Sequence, residues 1–69
     1  MIGRVVGLCD VRGYDSYVGV VIKELTDYPG FFIVEYTNSE EQTVPLVVSR
    51  DDVVRYQEEG FPIQFYPIE

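Results

Sequence analysis

The chain has 69 residues and sets 12 Asp and Glu against 5 Lys and Arg, a formal net charge of −7 with no histidine. At this length there is room for one core only, so a single small acidic domain over residues 1–69 is expected, with no linker, repeat or low-complexity tract. The absence of His and the single Cys9 exclude an internal disulfide, a Cys and His zinc site and a Ser, His, Asp triad.

The apolar fraction of 46% is too high for a disordered segment. It is filled by twelve Val, five Ile, six Tyr and four Phe, with three Leu and no Ala. β-Branched and aromatic side chains fit a pleated, half-buried surface, so strands are expected throughout.

In chain order, the Val-rich segment from Ile2 to Cys9 reads as a first strand, punctuated by Gly3 and Gly7. Asp10 to Asp15 carries turn residues and reads as a loop into a second strand from Ser16 to Leu25. In that strand Val18, Val20 and Ile22 share one face while Gly19, Val21 and Lys23 share the other, which predicts one wetter face. Thr26-Asp27-Tyr28-Pro29-Gly30 predicts a tight turn of type II geometry, because Pro presets one backbone angle and Gly admits positive φ. Phe31 to Tyr36 is the third strand, residues 37–41 a polar loop, and Gln42 to Val48 the fourth strand, which Pro45 assigns to an edge or a bulge.

Ser49 followed by Asp52 resembles a capping box, with Asp51 and Asp52 where a helix N-terminus favours negative charge. Val53, Val54 and Tyr56 serve either a helix of about ten residues ending at Gly60 or a single 3₁₀ turn followed by a strand; the longer helix is favoured. Phe61 to Ile68 alternates apolar and other residues as a terminal strand, which Pro62 and Pro67 place at an edge. About five short strands with tight turns and one short helix or 3₁₀ turn near the C-terminus predict a mainly β protein, a small SH3-like barrel.

Within that barrel class the chain resembles the Tudor family over about half its length. The matching residues are Cys9, Tyr14-Asp15-Ser16, Tyr17, Gly19 and Val20-Val21-Ile22, followed by Ile33-Val34-Glu35-Tyr36-Thr37-Asn38-Ser39-Glu40-Glu41-Gln42. The chain lacks the family's frequent Trp before Tyr17 and its second aromatic in the loop after Tyr36. The resemblance implies recognition of methylated Arg or Lys by a box of aromatic faces, carried over onto Tyr14, Tyr17 and Tyr36 with Asn38. A methylated cation sheds water readily and is drawn to aromatic rings by roughly 0.5–2 kcal/mol per contact. Asp15, Glu40 and Glu41 would raise its local concentration. The competing reading makes these tyrosines caps of the core whose hydroxyl groups reach water.

The paired carboxylates Glu40-Glu41, Asp51-Asp52 and Glu58-Glu59 read as solvated surface, since adjacent residues of a strand face opposite ways. Cys9, without a neighbouring His or basic cluster, reads as a small buried hydrophobe. Neither catalysis nor a cofactor is expected. Arg4, Arg12, Lys23, Arg50 and Arg55 are scattered and offer no basic patch, so direct binding of nucleic acid is not expected either. No apolar run approaches the roughly 20 residues of a membrane span, and Met1-Ile2-Gly3-Arg4 is no secretory signal; a cytoplasmic protein, or a nuclear one in a eukaryotic cell, is expected.

Two functions remain. In the first, a non-catalytic interaction module holds a basic, in some forms methylated, segment of a partner protein through Tyr14, Asp15, Tyr17, Tyr36, Asn38, Glu40 and Glu41. In the second, a small phage-type inhibitor imitates nucleic acid and blocks a nucleic-acid enzyme through an acidic face of Asp51, Asp52, Glu58 and Glu59. The first is preferred. The edge strand at Phe61 to Ile68 would also allow a homodimer.

Overall fold

Alternating β-branched and aromatic residues produce five strands and the capped segment after Ser49 produces one helix: β1 (Val5–Asp10), β2 (Ser16–Glu24), β3 (Phe31–Thr37), β4 (Thr43–Ser49), α1 (Arg50–Glu59) and β5 (Ile63–Phe65). The computed structural model describes residues 2–13 and 15–65. The strands form a single sheet in the order β4-β3-β2-β1-β5, curled into a half-barrel. Neighbours pair antiparallel except β1 and β5, which run parallel with Leu8 opposite Ile63, because α1 carries the chain from one edge of the sheet to the other.

The concave face holds the core: Val6 and Leu8 of β1, Val21 of β2, Phe32 and Val34 of β3, Leu46 and Val48 of β4, Val53 of α1, and Ile63 and Phe65 of β5. In β2 it is the glycine face that turns inward, leaving Val18, Val20 and Ile22 outside. The reason is space. A Cβ on Gly19 would stand 2.5 Å from Val34 Cγ1 and 2.9 Å from Leu8 Cδ1, so β1, β2 and β3 close over a position that admits no side chain. The β2–β3 register shifts between Val21 and Lys23, a bulge that leaves both Ile22 and Lys23 exposed.

The β2–β3 turn is the type II turn expected, with the Phe31 amide donating to the Tyr28 carbonyl at 3.2 Å and Gly30 at φ 90°. Helix α1 is the longer of the two alternatives, which removes the strand at residues 53–56. Ser49 Oγ accepts from the Asp52 amide at 3.2 Å, and Gly60, at φ 75°, closes the C-terminus with its amide donating to the Tyr56 carbonyl.

Two boundaries differ from the sequence expectation by more than one residue. β1 begins at Val5 rather than Ile2, since Gly3 sits at φ 86°, outside the extended region. The expected terminal strand is confined among the described residues to Ile63–Phe65, starting directly after Pro62, which has no amide to give a ladder; residues 66–68 of that expectation lie outside the described residues. β4 and β5 are the two edges, as their prolines indicated. No described helix is long and apolar enough to cross a membrane.

Candidate functional site

At one end of the half-barrel the last inward-facing residues of several strands meet. Asp10 ends β1 on the same face as Leu8, Tyr17 opens β2 opposite Leu8, Tyr36 closes β3 opposite Val44, and Phe65 pairs with Asp10. Together with Arg12, Asp15 and Asn38 from the adjoining loops, these residues line a pocket of about 150 Å³. Drug-sized ligands occupy upwards of about 300 Å³, so this pocket has room for one side-chain head rather than a cofactor.

Its floor is aromatic. The Tyr17 and Tyr36 centroids lie 5.2 Å apart with the rings tilted by 50°, and Phe65 stands 5.1 Å from Tyr36 and 6.0 Å from Tyr17. These are packing distances, in the range of tilted and edge-to-face pairs, so the rings touch one another and no cation fits between them. Tyr36 is 7% exposed and belongs to the core, whereas Tyr17 is half-buried and reaches the pocket mouth.

Its wall is acidic. Asp10 is 2% exposed and pairs with the Arg12 guanidinium, Nη2 to Oδ2 3.3 Å, while the Arg12 side chain remains largely in solvent. Asp15 and Tyr17 both line this wall. Partial burial, followed by the carboxylate charge of Asp15 and then the neighbouring Tyr36 and Asp10, raises the Tyr17 hydroxyl above its ordinary value of 10.0. The phenol is therefore neutral at physiological pH.

Asn38 organises the rim. Its Oδ1 accepts from the amides of Glu40 and Gln42, both at 2.9 Å, which folds the β3–β4 loop and forces Glu41 to φ 62°. Glu40 and Glu41 are exposed on that loop and do not line the pocket. The structure thus gathers Asp15, Tyr17, Tyr36 and Asn38 in one place and holds Glu40 and Glu41 on the adjoining turn; Tyr14 lies outside the described residues. Asp10, Arg12 and Phe65 were not singled out from the sequence. The alternation Val6, Leu8, Asp10 marks Asp10 as inward-facing, but no sequence signal brings Phe65 beside β1.

Asp51, Asp52, Glu58 and Glu59 all belong to α1. Asp52 is committed to the helix itself, with Oδ2 accepting from Ser49 Oγ at 2.8 Å and Oδ1 pairing with Arg55 Nη2 at 3.2 Å. Asp51 and Glu58, like Asp52 and Glu59, are seven residues apart and so lie about 10 Å apart along the helix axis. A groove of about 560 Å³ between α1 and β5 is lined by Asp52, Arg55 and Glu59 together with Cys9, Val11 and Phe61. Among the described residues no three His, Cys, Asp or Glu side chains are grouped so as to hold a metal ion. The chain matches no protein-family model, and neither the curated proteins nor the solved structures contain a significant match to it.

Proposed function

We propose that the protein is a non-catalytic interaction module that takes the cationic head of a basic partner segment at the pocket of Asp10, Asp15, Tyr17 and Asn38. The observation that carries this reading is the Arg12 guanidinium already seated against buried Asp10 at 3.3 Å in the pocket that Tyr17 also lines: the pocket's chemistry suits a guanidinium, and Arg12 is an internal example of one. With Arg12 offsetting Asp10, Asp15 leaves the lining one negative charge in excess, which suits a single monocation. The net charge of −7 steers such a segment toward the domain.

The Tudor-like resemblance belongs to the same proposal in a restricted form. Because Tyr17, Tyr36 and Phe65 are in mutual contact, a methylated head would rest on the exposed edge and face of Tyr17 at the mouth and would not be boxed by several rings. Methylation therefore adds little to affinity, and the charge and the single ring carry recognition. The inhibitor reading has weaker support. Phosphates follow one another every 3.4 Å or so along each strand of a duplex, whereas the α1 carboxylates recur at about 10 Å and Arg55 neutralises Asp52 between them.

Fluorescence titration of an Arg-containing peptide tests the proposal. Asp15→Asn and Tyr17→Leu should each weaken binding in a folded domain, and replacing the peptide's Arg by Gln should abolish it. Equal affinity for the Arg and Gln peptides would reject the pocket as a cation site. Tyr36→Ala is not a usable probe, since truncating a ring in this core costs about 3–5 kcal/mol of stability.

A further inference from the structure

The convex face of the sheet carries a second feature, remote in character from the pocket. Registers place Val5 opposite Val20, Val20 opposite Glu35 and Glu35 opposite Pro45, with Ile33 opposite Val47 in the next rank. Val18 and Val47 are 69% and 54% exposed, and Val5 is 60% exposed. Single exposed aliphatic residues are ordinary, but here Val5, Val18 and Val20 neighbour one another on β1 and β2, and Ile33, Pro45 and Val47 on β3 and β4, with Glu35 between the two groups. Glu35 is half-buried, and among the described residues no Lys or Arg pairs with it. Lys23 lies one rank away, opposite Ile33, beyond ion-pair distance.

We infer that this convex face docks a partner protein whose own contact patch is aliphatic and carries one Lys or Arg placed to meet Glu35. Aliphatic surface supplies the association energy, and a carboxylate between its two groups selects against any patch that lacks a cation, because docking such a patch would strip water from Glu35 without compensation. The same charge disfavours the other occupants. A second copy joined face to face about a two-fold axis sets two Glu35-centred patches and two chains of −7 against each other. An anionic membrane surface repels the chain as a whole.

A random peptide library displayed on phage, selected against the intact protein, tests this. Enriched peptides should share one Lys or Arg flanked by branched or aromatic residues. Val18→Asp and Val47→Asp, both at well-exposed positions, should each weaken those peptides by about tenfold or more, while circular dichroism confirms that both variants fold. Selection against Glu35→Lys should return peptides with Asp or Glu in place of the cation, and Tyr17→Leu should leave the original peptides bound, which separates this face from the pocket. Failure to enrich any consensus, a consensus indifferent to Val18→Asp and Val47→Asp, or a wild-type dimer in sedimentation that Val47→Asp dissolves would each overturn the inference.

Discussion

Gly19→Ala is the most demanding test of how the sheet closes. A methyl group at this position would enter at 2.5 Å from Val34 Cγ1 and 2.9 Å from Leu8 Cδ1, against ordinary carbon contacts of about 3.5–4.0 Å. Neither neighbour can swing into solvent, since Val34 is fully buried and Leu8 nearly so. The β1 and β3 strands must move apart, and overpacking of this kind costs about 1–3 kcal/mol. Taking about 2 kcal/mol, and a shift of about 4–8 °C per kcal/mol for a domain of this size, the midpoint of thermal unfolding should fall by about 8–16 °C. The double variant Gly19→Ala with Val34→Ala supplies the control. Val34→Ala alone opens a cavity costing about 2 kcal/mol, but in the double variant the new methyl enters that space, so the two losses should fall short of their sum by about 1 kcal/mol or more. A single variant within about 0.5 kcal/mol of wild type, with an additive double variant, would refute the close approach of β1, β2 and β3 at Gly19.

Three further outcomes are expected. Ser49→Ala removes the cap from the Asp52 amide and the donor to its carboxylate, and should lower stability in urea by about 1 kcal/mol with little change in slope. Glu41→Gly relieves a left-handed backbone carried by a non-glycine residue and should raise stability by about 0.5–1 kcal/mol; a loss would mean that the Glu41 side chain matters more than its backbone. Because Tyr17 is raised above 10.0 in the folded state, folding favours its protonated form. That contribution is complete below pH 10.0 and is lost as pH rises through the raised value. Phenolate absorbance should show Tyr17 titrating later than in the unfolded chain, and Asp15→Asn should bring it earlier.

Local chemistry made much of this fold legible. Pro29-Gly30 defines the β2–β3 turn, Ser49 and Gly60 bracket α1, and Pro45 and Pro62 mark the sheet edges, each through a backbone requirement that only a few residues meet. Pairing was less accessible. That β5 runs parallel to β1, bringing Phe65 to Asp10, follows from α1 crossing the open side of the half-barrel and leaves no trace in periodicity. The inward turn of Gly19 depends on the bulk of Leu8 and Val34 from other strands, so alternation alone could define two faces of β2 without saying which was buried. The candidate site divides in the same way. Asp15, Tyr17, Tyr36 and Asn38 line one pocket at the strand ends, but ring separations of 5.1–6.0 Å, and with them the difference between a cage and a packed cluster, are set by side chains meeting across the barrel end.

The central claim is that the mouth of this pocket receives a cation beside Tyr17. Aromatic nuclear magnetic resonance of the intact protein, titrated with an Arg-containing peptide and with its dimethylarginine counterpart, reads the event at the ring itself. Saturable shifts of the Tyr17 ring resonances are expected with both peptides, at affinities within a few-fold of each other, and should be lost in Asp15→Asn. Tyr17 resonances unmoved by either peptide at saturating concentration would contradict the claim.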